Sequence, residues 1–123
     1  MTPQDDDPRL RLRLFFAKGA MIGPGKADLL EAIRDTGSIS AAGRAMSMSY
    51  KRAWSLVDEM NAAFRSPLVD SARGGAKGGG ATLSEDGEAV LAHYRALERK
   101  SREAGAEEIA AIQTLLGDMS DET

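Results

Sequence analysis

The chain contains no cysteine, which excludes disulfide staples, thiolate metal sites, and any thiol nucleophile or redox motif. Its one histidine, His93, has no second histidine at a zinc-binding spacing and reads as a surface residue of a helix. No stretch approaches the roughly 20 apolar residues of a membrane span. Residues 1–8 are acidic where a secretory signal would be basic, so a soluble, cytoplasmic protein is expected. Nothing pairs as catalytic acid and base: the carboxylates of 84–123 look like a solvated helix face, and neither an enzyme nor a cofactor is expected. Six methionines are scattered, and Met46, Met48 and Met60 are better core fillers than soft-metal ligands. At 123 residues there is room for one core and not comfortably for two.

The net charge of −3 seems to speak against a nucleic-acid partner, since such domains are usually basic. Position matters more than the sum. Residues 1–43 are neutral, 44–83 carry +3 and 84–123 carry −6. The middle is therefore a basic segment, with Asp58, Glu59 and Asp70 as its only carboxylates.

Residues 1–8, with two prolines and three consecutive aspartates, have nothing to bury and are expected to be disordered, as is the acidic tail 118–123. Residues 9–16 alternate arginine and leucine, which puts Leu10, Leu12 and Leu14 on one face of a strand. Leu29, Leu30 and Ile33 then mark a short helix over 26–36, with Gly37 as its left-handed stop. Ser40 is the expected N-cap of a helix over 41–46, and Ser49 that of a longer helix over 50–64 with the stripe Ala53, Val57, Met60 and Phe64. The small residues Ala41, Ala42, Gly43 and Ala45 allow these two helices to cross closely. Pro67 blocks continuation. Residues 68–71 and 81–83 read as a hairpin around a glycine-rich tip, and Ser84 caps a long helix carrying Val90, Leu91, Tyr94 and Leu97. Gly105 interrupts it before a last apolar stripe, Ile109, Ile112, Leu115 and Leu116.

This order predicts a mainly α fold with a small β-hairpin wing: a winged helix-turn-helix head over 9–84, followed by C-terminal dimerisation helices over 85–117. A helix about 12 Å wide fits the DNA major groove, and a basic hairpin beside it can follow the phosphates. The candidate DNA-binding residues are Ser40 at the first helix of the pair, Ser49, Tyr50, Lys51, Arg52, Trp54 and Ser55 around the start of the second, and Arg73 and Lys77 in the wing. Trp54 and Tyr50 fit a core role as well, Lys51 and Arg52 an ordinary solvated helix end, and the wing a flexible linker. A phosphate-loop reading fails, because Lys77 lies between Ala76 and Gly78 and lacks the following Ser or Thr. The C-terminal stripes exceed what so small a core would bury, and Leu91, Tyr94, Leu97, Ile109, Ile112 and Leu116 are assigned to a dimer interface.

The strings Gly37-Ser38-Ile39-Ser40-Ala41-Ala42, Ser49-Tyr50-Lys51 with Ala53-Trp54, and Asp58-Glu59-Met60-Asn61, together with the wing Gly74-Gly75-Ala76-Lys77-Gly78-Gly79-Gly80, resemble the DNA-binding domain of the molybdate-dependent transcriptional regulators of the ModE family. Gly-Ser-Ile-Ser-x-Ala and the wing exit Leu83-Ser84-Glu85-Asp86-Gly87 are similar to LysR-type regulators too. The resemblance spans about residues 9–105. It implies a homodimer on a palindromic double-stranded operator, with Ser49, Tyr50, Lys51, Arg52 and Ser55 in the major groove and Arg73 and Lys77 on the flanking backbone. The family's C-terminal oxyanion-binding modules have no counterpart in the residues after Gly105, so molybdate binding is not implied. Regulation without sensing, a separate sensor protein, and sensing by the head itself all stay open. The rival reading is a winged-helix module whose Lys51, Arg52, Arg73 and Lys77 surface meets an acidic protein instead of DNA.

Overall fold

The computed structural model describes residues 8–72 and 80–117. The expectations for residues 1–7 and 118–123, and for the wing tip with Arg73 and Lys77, fall outside the described residues. Strand β1 (Leu14–Phe15) pairs antiparallel with β2 (Met21–Ile22) across a tight turn. Then come α1 (Pro24–Thr36), α2 (Ile39–Ala45), α3 (Tyr50–Ala63), the wing strands β3 (Val69–Ala72) and β4 (Gly80–Leu83), α4 (Glu85–Ala104) and α5 (Ala106–Thr114). The wing strands pair antiparallel, with Val69 opposite Leu83 and Ala72 opposite Gly80.

The expected strand over 9–16 is regular only at its end. Leu10, Leu12 and Leu14 do alternate inward against exposed arginines, but β1 has a partner only where β2 lies beside it. Helix α1 starts two residues earlier than expected. Pro24 sits in its first turn, where a missing N–H costs nothing, and Gly37 ends it in the left-handed region at φ 73°. Ser40 is not a cap: Ser38 is, its hydroxyl accepting from the Ala41 amide at 3.0 Å, so α2 begins at Ile39 and buries that side chain. Ser49 and Ser84 cap α3 and α4 as expected, each accepting an amide three residues on at 3.0 Å. Phe64 falls just outside α3 and packs against the core only in part.

Helix α1 is the centre of the core, with Leu29, Leu30 and Ile33 fully buried and α2, α3 and α4 packed around it. The crossing of α2 over α3 is close because Gly43 meets Ala53: a Cβ at Gly43 would stand 3.1 Å from that of Ala53. The turn between the two helices turns on Ser47, which adopts φ 58°. Helix α4 is tied to α1 by Arg95, whose guanidinium donates to Asp28 at 2.8 Å and to Glu31 at 2.7 Å, and to its own helix through Glu98 at 3.1 Å. It is tied to the N-terminus by Tyr94, which donates to the Leu12 carbonyl at 2.6 Å. Burial pushes the Tyr94 pKa up, which keeps the hydroxyl a donor. Leu91 and Tyr94 are thus corrected from dimer contacts to core: 2% and 3% exposed, they are already spent inside their own domain.

The wing is fixed at its base. Asn61 of α3 accepts from the amides of Leu68 and Val69 through Oδ1, at 2.9 and 3.1 Å, and donates from Nδ2 to the Val69 carbonyl. On the other side Ser84 donates its amide to the Leu68 carbonyl at 2.9 Å and its hydroxyl to Pro67 at 2.7 Å. Arg65 forks onto Asp86 at 2.8 and 3.0 Å, and the Ser66 hydroxyl joins it at 3.0 Å.

Two predictions follow from this junction. Gly87 lies against the Leu68 carbonyl so closely that any Cβ would collide with backbone, so Gly87→Ala is expected to cost about 1–3 kcal/mol of unfolding free energy, seen as a lower denaturant midpoint. An unchanged midpoint would contradict the packing. The hydrogen bonds from Arg65 and Ser66 hold the Asp86 carboxyl down from 3.8 to about 2. A depressed carboxyl stabilises the fold above its unfolded pKa and loses that contribution as pH falls through the folded one. Asp86→Asn should therefore flatten the acid limb of unfolding, followed by circular dichroism, between about pH 3.8 and about pH 2; an identical limb would show that the fork carries no linkage.

Candidate nucleic-acid interface

Because Ser49 caps α3, the helix begins with its positive dipole end and the side chains of Tyr50, Lys51 and Arg52 at the protein surface. The buried stripe Ala53, Leu56, Val57 and Met60 faces α1 and α2. That stripe rotates Lys51, Ser55 and Asp58 outward, all of them exposed.

These residues line one side of an open groove of about 1050 Å³ between α3, the start of α2 and the base of the wing. Of the expected DNA-binding residues, Ser40, Tyr50, Lys51, Trp54 and Ser55 meet there, facing Ser71, Ala72, Gly80 and Ala81 of the wing strands. Ser49 and Arg52 do not line it. The Ser49 hydroxyl is engaged in the cap, and Arg52 is exposed on the flank of the helix. Ser40 reaches the groove from within α2, so losing its capping role moves it into the site rather than away from it.

Trp54 resolves as both core and groove. It packs half-buried against the hydrophobic core, lines the groove, and meets Tyr50 edge to face with ring centroids 6.2 Å apart at 71°. Its Nε1–H is buried with no acceptor among the described residues. Tyr50 itself is 62% exposed, an open aromatic seated on a fixed one. The indole thus holds the phenol upright at the helix start, where it can meet a sugar or base edge.

Three residues of the site region escaped sequence reasoning. Glu59 lines the groove, yet is held by the Lys26 ammonium at 3.2 Å, and Lys26, buried, also donates to the Met21 carbonyl. Asn61 is the hinge pin of the wing, and an amide three residues after Asp58 at the end of an apolar stripe gave no sign of it. Asp58, read in the sequence only as one of the few carboxylates of the basic segment, is exposed and lines the groove together with Lys51. A carboxylate there can accept from the N4 amine of cytosine, as Lys51 can donate to guanine O6 and N7.

The helix pair with its wing defines a winged helix-turn-helix protein, and the sequence agrees. A family model, bacterial regulatory helix-turn-helix protein of the lysR family, matches residues 26–88, and the chain belongs to this family. It is similar to the molybdenum-pterin-binding protein MopB of Rhodobacter capsulatus, 49% identical over 65% of this chain and 30% of that one. It is also similar to the molybdenum transport protein ModE of Azotobacter vinelandii, 36% identical over 92% of this chain and 46% of that one. With the DNA-binding transcriptional dual regulator ModE of Escherichia coli it shares 37% identity over 66% of this chain and 31% of that one. The chain thus spans less than half the length of these curated relatives. Among solved structures, the CbnR DNA-binding domain in complex with DNA superposes with a TM-score of 0.56 at 18% identity, over 72% of this chain and 95% of that one, which is a likeness of fold. These names describe regulators and molybdenum-handling proteins, not enzymes. No helix among the described residues is long and apolar enough to cross a membrane.

Lys51 is exposed and lines the groove, so its loss should touch binding and not folding. Lys51→Ala is expected to weaken DNA binding by about 1–3 kcal/mol with an unchanged melting temperature. Unaltered affinity, measured by fluorescence anisotropy, would remove it from the site.

Proposed function

We propose that the chain is the DNA-reading part of a cytoplasmic transcriptional regulator, binding a palindromic double-stranded operator as a homodimer. The observation that carries this reading is the convergence of Ser40, Tyr50, Lys51, Trp54 and Ser55 on one groove bounded by the wing. In this reading α3 enters the major groove, its first turn reads base edges, and Arg52 lies on a phosphate. The sequence of the wing tip, with Arg73, Lys77 and five glycines over 73–80, supplies charge and close backbone approach to the flanking strand. Two such heads would sit one DNA turn, roughly 34 Å, or a whole multiple of it apart. The acidic segment 84–123 is repelled by phosphates, which suits it to the far side of the head.

Mobility shifts on the DNA upstream of the protein's own coding region test the proposal. Binding that prefers this DNA over random sequence and falls steeply with salt is expected, with the log–log slope reduced by about one in Lys77→Ala. No preference over random DNA at any salt would overturn it and favour a protein-interaction role for the same basic surface.

A further inference from the structure

Among the described residues, the large hydrophobic side chains most open to solvent are Tyr50, already placed in the groove, and two other groups. Phe15 and Phe16 project from the β1–β2 hairpin, 75% and 50% exposed. Ile112, Leu115 and Leu116 project from the end of α5, 63%, 83% and 62% exposed. The two groups differ in how they are held. The hairpin is anchored by Tyr94 through Leu12 and by Lys26 through Met21. Helix α5 has nine residues and buries none of them. Isolated helices shorter than about 12–15 residues are marginal in water, so a helix this short and this apolar needs a cover that the described residues do not provide.

The charges nearest in sequence to the two groups are opposite. Residues 8–22 hold Arg9, Arg11, Arg13 and Lys18 and no acid, whereas 103–117 hold Glu103, Glu107 and Glu108 and no cation. None of these seven forms an ion pair among the described residues. Each segment therefore combines exposed apolar side chains with charge of the sign opposite to the other's.

We infer that the occupant of each patch is the other patch on a second copy of this chain: α5 of one protomer docks on the β1–β2 hairpin of its partner. A two-fold axis makes the contact twice, so that Phe15 and Phe16 cover Ile112, Leu115 and Leu116, and Arg11 and Lys18 face Glu107 and Glu108. This rests on the homodimer proposed above and names its surface. It places the interface on the hairpin and α5, not on Leu91 and Tyr94, which belong to the core.

Sedimentation equilibrium of the full chain tests it. Phe15→Ser with Phe16→Ser is expected to raise the dimer Kd about tenfold or more with an unchanged helical spectrum, since both side chains are already in water. Arg11→Glu with Lys18→Glu should weaken the dimer, as should Glu107→Lys with Glu108→Lys. Mixing the two charge-reversed chains should restore a heterodimer of wild-type affinity. A wild-type dimer whose Kd none of these variants moves would overturn the surface and leave the dimer standing. A wild-type monomer at micromolar concentration would overturn both.

Discussion

The backbone of Leu68 is held from two sides, and the geometry of the head depends on it. Its amide goes to Asn61 of α3, its carbonyl to the Ser84 amide at the start of α4, and Gly87 closes on it without room for a Cβ. Leu68 and Val69 are buried at this junction. One amide side chain thus sets the angle at which the wing leaves α3, and one glycine sets the distance of α4 from it. The width of the groove between helix and wing follows from these two contacts. Buried backbone groups must find partners, so the junction cannot slip by one residue without leaving Leu68 unpaired.

Charge is organised around the same frame. Arg95 gathers Asp28, Glu31 and Glu98, and Lys26 takes Glu59, so part of the carboxylate charge of the head is matched by cations. Among the residues in no described ion pair are Lys51 and Arg52 at the start of α3, Arg9, Arg11 and Arg13 in the N-terminal segment, and Glu107 and Glu108 on α5. A net charge of −3 is the residue of these separate regions and describes none of them. The first basic region is proposed to meet DNA and the second a partner copy.

What the sequence made legible was local. Ser49, Ser84 and Gly37 could be read as helix ends because a cap is decided within three or four residues, and the α3 stripe because its period is intrinsic to the helix. Ser38 and Ser40 both had the chemistry of a cap, and only the burial of Ile39 decides between them. The β2 strand was invisible because two residues carry no period, and a strand over 9–16 needs a partner along its length to be regular. Tyr94 looked like spare apolar surface because its partner, the Leu12 carbonyl, lies 82 residues away in sequence. Gly87 did leave a trace. A glycine in the first turns of a long helix forgoes helix propensity, and the reason is the backbone it touches.

The central claim is that two heads, each reading through α3, are spaced by an interface on their far side. Dimethyl sulfate protection of guanine N7, on an operator selected from random DNA, reads that arrangement directly. The account predicts two protected clusters in the major groove, on one face of the duplex and one turn or a whole multiple of about 34 Å apart. Protection of a single cluster, or two clusters on opposite faces, would contradict it.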